Sequence, residues 1–195
     1  MNLILASASP RRQALLRGLG LEFSVRCADI DETMDPARGA AAEVARVSRA
    51  KAEAVAADAG DAIVIAADTI VCVDDSILGK PSDAAQAAEM LRLLSGRAHQ
   101  VRTGVTVRSA AKTRTEVVTT EVCFRSLSEA EIAAYIATGE PMDKAGAYGI
   151  QGLAAIFAEG IRGDYFNVMG LPLCRLSEML REFGVAVLGG TEVIA

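Results

Sequence analysis

Tryptophan is absent from this sequence of 195 residues, histidine occurs once, and aromatic residues make up only 4% of it. Because 51% of the residues are hydrophobic, a core can form, but it must be built from Ala, Val, Leu and Ile. The lone histidine, His99, argues against a His-based zinc site and against a serine-type catalytic triad. Any metal would therefore be held by carboxylates, the ligands that suit Mg²⁺ or Mn²⁺.

Paired cysteines, long apolar runs and a net positive charge are also absent. The four cysteines stand far apart without a Cys-x-x-Cys pair, which predicts reduced, mostly buried thiols in a cytoplasmic protein. No uncharged stretch approaches the ~20 residues that a membrane-spanning helix needs, so we expect no membrane contact. A net charge of −5 argues against binding nucleic acid, although it permits a local basic pocket for a small anion.

Strand and helix patterns alternate along the chain and predict an α/β fold, which we interpret as a single domain over residues 1–195. A short buried strand at Leu3–Ala6 precedes a helix that begins at Pro10. Two strand runs within residues 61–78 are separated by residues 67–69. The further predicted elements are a strand running into a polar loop within 23–32, a helix over 38–60, a helix over 82–96 capped by Ser82, a hairpin over 99–110 and 114–127, a helix over 128–139, a glycine-rich loop over 140–152, a strand or hairpin within 153–164, a helix over 171–184 with Pro172 in its first turn, and a last strand at 185–188.

Two arginines, Arg11 and Arg12, lie directly behind a Ser-x-Ser-Pro corner in the first turn of the predicted first helix. Serine caps helix N-termini and proline suits the first turn, so the helix begins here. The free N–H groups and the helix dipole already make this end positive, and it normally carries Asp or Glu. A bound polyanion would relieve the excess positive charge. The alternative is a solvated first turn with two surface arginines.

Carboxylates stand at two positions of interest. Asp29, Asp31 and Glu32 follow the second predicted strand, where they form either part of a site or an ordinary acidic loop. Asp68 lies between two strongly apolar runs, where a carboxylate is costly to bury unless it is paired or bound to a metal. The alternative for Asp68 is a residue at a strand end that caps a turn.

Cations and a glycine-rich loop complete the set. Lys51 lies in the long predicted helix, where a solvated lysine is the alternative to a functional one. Lys80 follows a glycine, but Pro81 comes next, so the phosphate-loop pattern Gly-x-x-x-x-Gly-Lys-Ser/Thr is absent. The loop over 140–152 either approaches a ligand closely or is an ordinary flexible connection. Together these residues suit metal-assisted attack of water on a phosphoryl group.

Five motifs resemble those of the Maf family of nucleoside triphosphate pyrophosphatases, in the family's order over residues 3–173: ASASPRRQALL, AADTIV, LGKP, GEPMDKAGAYGIQG and NVMGLPL. The resemblance implies an elongated, ITPase-like α/β fold with a mixed central sheet flanked by helices and two lobes around an active-site cleft. It also implies hydrolysis of a nucleoside triphosphate between its α and β phosphates with Mg²⁺ or a similar divalent ion. A homodimer and a link to septum formation belong to the same resemblance.

The resemblance also assigns roles to individual residues. Asp68 is the general base that activates water and, with Glu32, a metal ligand. Arg11, Thr69 and Gln151 match the positions that mark the subgroup acting on dTTP and UTP. The Gln151 amide has both a donor and an acceptor, so it can pair with the O4 and N3–H edge of a pyrimidine. The residues implied to hold the triphosphate are Ser7, Arg11, Arg12, Lys51 and Lys80.

Two alternatives stay open at the level of the sequence. One is a pyrophosphatase with another base preference, such as 7-methyl-GTP or modified pyrimidine nucleotides, which Thr69 and Gln151 would decide. The other is a nucleotide-binding regulator of septum formation with little catalysis. The presence of Asp68, Glu32 and the two lysines counts against the regulator.

Overall fold

The computed structural model describes residues 2–74 and 76–188. In these residues seven strands form one mixed sheet in the order β2-β1-β3-β5-β6-β7, with β4 also paired to β3. The strands are β1 (Leu3–Leu5), β2 (Ser24–Val25), β3 (Ile63–Val73), β4 (Ser76–Leu78), β5 (Ala98–Arg108), β6 (Thr113–Phe124) and β7 (Ala158–Arg162). β1 runs parallel to β2 and β3, and the other pairs are antiparallel. The expected mixed central sheet is therefore present.

Helices flank this sheet, as predicted. They are α1 (Pro10–Gly18), α2 (Ala40–Ala56), α3 (Ala84–Leu94), α4 (Glu129–Ala137), α5 (Tyr165–Met169) and α6 (Leu173–Glu182). The Ser9 side chain caps α1 by accepting from the Arg12 N–H, and Ser128 forms a capping box with Glu131 at α4. None of the helices in the described ranges combines the length and apolar character needed to cross a bilayer.

The central strand β3 is buried on both faces, which explains its nearly continuous apolar sequence. Successive side chains of a strand point to opposite faces. The odd-numbered apolar residues of β3 join the main core with α1, and the even-numbered ones pack on the α2 side. Asp68 therefore shares the face covered by α2, and its neighbour Thr69 shares the face covered by α1.

One edge of β3 is covered only in part. β1 pairs with Ile63–Ile65 and β4 pairs with Val71–Val73. Within the described chain no strand pairs with the intervening residues 66–70 on this side, whereas β5 pairs with β3 along the whole opposite edge. The gap leaves the edge of β3 at Asp68 and Thr69 without a paired strand among the described residues, so side chains from both faces of the sheet can be approached from this edge.

A glycine in β5 allows α2 to approach the sheet at the same level. Gly104 is the cross-strand partner of Asp68 and shares its face. A Cβ on Gly104 would overlap the Val44 carbonyl oxygen of α2, so only glycine permits this close contact. The contact brings Lys51, two turns further along α2, within reach of Asp68.

The predicted break in the strand at residues 67–69 is wrong. β3 continues through Asp68 without interruption from Ile63 to Val73. The carboxylate is tolerated there because Lys51 pairs with it, so Asp68 caps no turn.

Other expectations also need correction. The second strand is only two residues long, Asp83 rather than Ser82 caps α3, and residues 185–188 form no strand. Pro172 is the N-cap residue of α6 rather than part of its first turn, and the short helix α5 was not expected. The cysteines are free, as predicted, but of the four only Cys72 is buried.

Candidate active site

A cleft of about 1060 Å³ opens at the gap in the sheet edge. It is bordered by the end of β1 and the start of α1, by β3, and by the loops around residues 27–36 and 140–152. All nine residues expected from the sequence line this cleft: Ser7, Arg11, Arg12, Glu32, Lys51, Asp68, Thr69, Lys80 and Gln151. Residues from six separate parts of the chain thus meet in one place.

On the α2 face of the sheet, Lys51 lies between two carboxylates. Its Nζ donates to Asp68 Oδ1 at 2.8 Å and to Glu32 Oε2 at 2.7 Å. The side chains of Lys51 and Asp68 are each only 11% exposed, whereas that of Glu32 is 54% exposed. Burial of both partners together avoids leaving an uncompensated charge. Lys51 is therefore not the solvated helix lysine of the alternative interpretation.

The two carboxylates fit a divalent metal when a phosphate ligand is present. Among the described residues no group of three or more His, Cys, Asp or Glu side chains is arranged to hold a metal. Mg²⁺ commonly uses one or two carboxylates and completes its coordination with substrate phosphates and water. Asp68 and Glu32, both directed at Lys51 Nζ, supply a donor set of that kind.

The loop that carries Glu32 is fastened to α2 by two residues that sequence reasoning missed. Arg46 Nη2 donates to the Thr33 carbonyl at 2.7 Å, and Glu43 Oε2 accepts from the Asp35 N–H at 3.0 Å. Hydrogen bonds from Arg46 and from the Asp35 N–H lower the pKa of the buried Glu43 to about 2. The only sequence signal is a Glu and an Arg three residues apart on a helix, which is common on surfaces.

On the α1 face, Arg12 is held by three hydrogen bonds. Its Nε donates to the Gly170 carbonyl at 2.7 Å, its Nη1 to Ser7 Oγ at 3.2 Å, and its Nη2 to Thr69 Oγ1 at 2.9 Å. Burial lowers the pKa of Arg12, and the negative charge of Asp68 opposes that change. Arg12 is therefore a built-in part of the cleft wall and not a solvated arginine.

A buried threonine stands behind Thr69. Thr103 Oγ1 lies 3.0 Å from Thr69 Oγ1 and donates to the main-chain carbonyl of Asn167 at 2.9 Å. The side-chain nitrogen of Asn167, Nδ2, in turn donates to the main-chain carbonyl of Val101 at 3.0 Å. Sequence reasoning missed Thr103, Asn167 and Gly170. Asn167 and Gly170 lie within the NVMGLPL motif, but nothing in the local pattern marks Thr103.

The glycine-rich loop is a fixed structure. Glu140 accepts from the Tyr135 hydroxyl at 2.9 Å and from the Leu153 N–H at 3.1 Å. A Cβ on Gly152 would overlap the Glu140 carboxylate, and one on Gly149 would lie 2.6 Å from Lys144 Cε. A larger residue at either position would have to displace the Glu140 or Lys144 side chain, and the loop places Gln151 at the cleft.

Arg11 connects α1 with this loop across the cleft. Its Nη1 lies 3.8 Å from Asp143 Oδ2, and Lys144 Nζ donates to the same carboxylate at 2.6 Å. The hydrogen bond from Lys144 lowers the pKa of Asp143. Lys80 and Gln151 are exposed at the cleft. These three predicted residues are thus available to a ligand.

The single histidine lies behind the cleft wall. His99 Nε2 is 2.8 Å from the hydroxyl of Tyr148, and burial lowers the pKa of His99 to about 4. A ring that is neutral at physiological pH and packed edge-on against Phe124 has a structural role.

Comparison with known proteins gives one consistent family. A family described as Maf-like protein matches residues 2–183. A protein of Moorella thermoacetica named dTTP/UTP pyrophosphatase is 53% identical over 190 residues, which cover 96% of this chain and 97% of that protein. A protein of Bacillus cytotoxicus with the same name is 51% identical over 180 residues, which cover 92% and 94%.

A solved structure shares the fold at much lower identity. The Ham1 protein of Staphylococcus aureus superposes with a TM-score of 0.56 at 15% identity, covering 94% of this chain and 100% of that one. This likeness supports the architecture of the sheet and helices alone. The family match over residues 2–183, with relatives at 53% and 51% identity, makes this chain a member of the Maf family.

Proposed function

We propose that this protein hydrolyses dTTP and UTP to the nucleoside monophosphate and pyrophosphate, by attack of water with the help of Mg²⁺ or Mn²⁺. The observation that carries the reaction is Lys51 Nζ, bonded to both Asp68 and Glu32 inside the cleft. The substrates are inferred from relatives that carry the name dTTP/UTP pyrophosphatase. The protein is also proposed to work in the cytoplasm as a homodimer of single-domain chains, without nucleic acid or membrane partners.

Asp68 is the proposed general base. Its carboxylate is held in place by Lys51 and reaches the cleft through the gap in the sheet edge. A carboxylate is a weak base toward water, so the attacking water must itself be made more acidic. A divalent ion held by Asp68 and Glu32 would lower the pKa of that water and neutralise phosphate charge.

The cations of the cleft are proposed to hold the triphosphate and stabilise the leaving pyrophosphate. Arg11, Lys51 and Lys80 can approach its oxygens from different walls of the cleft. Arg12 donates three of its five N–H groups to protein acceptors, so two remain for a ligand. Ser7 lies beside Arg12 and is proposed to donate its hydroxyl to the same phosphates.

The nucleoside is proposed to lie toward Thr69 and Gln151. Gln151 is exposed at the cleft on a loop that Glu140 fastens at the Leu153 N–H, so its side chain can reach a bound nucleotide. A primary amide carries both a donor and an acceptor, and the N–H of Gln151 can donate to O4 of thymine or uracil. Preference for these bases then follows from complementary hydrogen bonds in a fixed site.

The test is a nucleotide panel in ¹⁸O-labelled water with Mg²⁺ or Mn²⁺: dTTP, UTP, CTP, dATP, GTP and 7-methyl-GTP. We expect pyrophosphate from dTTP and UTP, with the label in the monophosphate because water attacks the α-phosphorus. Label in pyrophosphate would place the attack elsewhere and contradict the proposal. Turnover of 7-methyl-GTP alone would keep the chemistry and refute the assignment of the base. Nucleotide binding without pyrophosphate from any of them would favour the regulator.

A further inference from the structure

The hydrogen bonds around Thr69 have a fixed direction. The main-chain carbonyl of Asn167 can only accept a hydrogen bond, so Thr103 donates its single hydroxyl proton to it. The distance from Thr103 Oγ1 to this carbonyl oxygen is 2.9 Å. Thr103 must then accept the proton of Thr69 across their 3.0 Å contact. Arg12 has no acceptor, so its Nη2 donates to Thr69 Oγ1 at 2.9 Å. The chain of donors therefore runs from Arg12 through Thr69 and Thr103 to Asn167.

This direction leaves Thr69 with one function toward a ligand. A hydroxyl has one proton and two lone pairs. Thr69 gives its proton to Thr103 and one lone pair to Arg12, so a single lone pair remains. Thr69 can accept a hydrogen bond from a ligand and cannot donate one.

The same arginine also binds Ser7, but it leaves Ser7 with a hydrogen-bond donor for a ligand instead of an acceptor. Its Oγ accepts from Arg12 Nη1 at 3.2 Å and from the Ser9 N–H at 3.3 Å. Both lone pairs are used, and only the hydroxyl proton is left for a ligand. Phosphate oxygens accept hydrogen bonds, so Ser7 suits the triphosphate and Thr69 does not. Thr69 must face a part of the nucleotide that carries an N–H or O–H group.

Only two donors are common to dTTP and UTP: N3–H of the base and the ribose 3′-hydroxyl. The 2′-hydroxyl is excluded because dTTP lacks it. The base N3 position also separates uracil from cytosine, since uracil carries a proton there and cytosine carries a lone pair. An acceptor-only hydroxyl in a rigid wall rejects a lone pair, because two acceptors facing each other leave both unsatisfied.

We propose that Thr103 is a positioning residue that holds Thr69 as a pure acceptor for N3–H, and that this is how the cleft discriminates uracil and thymine from cytosine. The inference rests on the proposed function and deepens it. Thr103 is fully buried and does not line the cleft, so it acts on the nucleotide only through Thr69. Removal of its hydroxyl would free the Thr69 proton to turn toward the ligand.

The experiment measures kcat/KM for UTP and for CTP in the wild type, Thr103→Val and Thr103→Ser. We expect the UTP to CTP ratio to fall about tenfold in Thr103→Val, through a higher KM for UTP and a lower one for CTP. Thr103→Ser keeps the hydroxyl and should restore the wild-type ratio. A ratio that is unchanged in folded Thr103→Val, or a loss that is equal for both nucleotides, would overturn the proposal.

A matched control is available in the same strand. Thr106 is also fully buried in β5, and its hydroxyl contacts Ser48 and Thr115 rather than the cleft. Thr106→Val makes the same chemical change and should leave the UTP to CTP ratio at its wild-type value. A shift as large as that of Thr103→Val would mean that the effect is merely structural, and would count against the proposal.

Analogues of UTP test the contact without any mutation, which covers the case in which Thr103→Val does not fold. We expect N3-methyl-UTP to bind at least tenfold more weakly than UTP, and 3′-deoxy-UTP to bind about as well. The reverse order would mean that Thr69 faces the ribose and would refute the base assignment. Equilibrium binding is measured beside turnover, so an enzyme that binds with this selectivity but releases no pyrophosphate refutes the proposed function alone.

Discussion

Lys51 in α2 and Asp68 in β3 form a buried ion pair, with Nζ 2.8 Å from Oδ1 and only 11% of each side chain exposed. A pair of this kind is costly to break, because removal of one partner leaves the other charge buried and unpaired. The pair also connects the helix that fastens the Glu32 loop with the strand that carries the proposed base. Stability and catalysis are therefore coupled at this contact.

Lys51→Met should destabilise the protein by about 3 kcal/mol, because Asp68 loses its buried partner. It should also abolish most of the activity, since Glu32 loses the same contact. Chemical denaturation and pyrophosphate release measure the two effects. Lys112→Met is the matched control, because its ion pair with Glu182 is at the surface and worth less than about 1 kcal/mol. Equal stability of the two variants would contradict the importance given to the buried pair.

Gly104→Ala should separate α2 from the sheet. The added Cβ would overlap the Val44 carbonyl oxygen, and backbone cannot move aside as a side chain can. We expect a loss of about 1–3 kcal/mol in stability and a lower kcat, because Lys51 moves away from Asp68 with the helix. Gly160→Ala in β7 is the control, since nothing lies within 4 Å of its Cβ position. A fully active, fully stable Gly104→Ala variant would refute this close contact.

Gln151→Ala should change selectivity more than stability, because its side chain is exposed on a loop held by other residues. We expect KM for dTTP and UTP to rise about tenfold while the melting temperature stays the same. Gln86→Ala, on α3 outside the cleft, should leave KM unchanged, although it lowers stability by losing the hydrogen bond from the Ser82 N–H. An unchanged KM for both pyrimidine nucleotides would remove Gln151 from the base site.

The pH dependence of stability should contain a contribution from His99. Burial lowers the pKa of His99 from 6.5 to about 4, so between these values the unfolded chain binds a proton that the folded chain does not. The contribution of His99 to the free energy of unfolding is fully present above pH 6.5. It decreases by about 3 kcal/mol in total as the pH drops toward 4. His99→Gln should flatten the denaturation free energy over this range. A slope equal to that of the wild type would contradict the buried, neutral ring.

Much of the fold follows from local patterns, and the parts that do not are set by distant neighbours. The starts of α1 and of α4 depend on residues adjacent in sequence, and both agree with the structure. The length of β3 depends on a distant residue instead. The carboxylate of Asp68 is tolerated in the middle of the strand only because α2 brings Lys51 to it. Ser82 and Asp83 are both suitable caps, and local pattern does not decide between them.

The residues of the site also fall into two groups, those that the sequence predicts and those that it does not. Seven of the nine predicted lining residues lie in motifs that can be recognised in the sequence, and only Glu32 and Lys51 lie outside them. The residues behind them cannot be recognised in this way, because Thr103 meets Thr69 only through the register of β3 with β5. Arg46 and Glu43 are likewise ordinary helix residues until the Glu32 loop folds over them. What a lining residue can donate or accept is thus decided by contacts that have no local signal.

The most direct test of the account is the turnover of dTTP by Asp68→Asn with Mg²⁺ present. The substitution keeps the shape of the side chain and removes its ability to take a proton. We expect pyrophosphate release to fall by about 10²–10⁴-fold or more. The variant should stay folded but melt at a lower temperature than the wild type, because the buried Lys51 keeps only Glu32 as a charged partner. Near-normal release of pyrophosphate from a folded Asp68→Asn variant would contradict the role of Asp68 and, with it, the proposed mechanism.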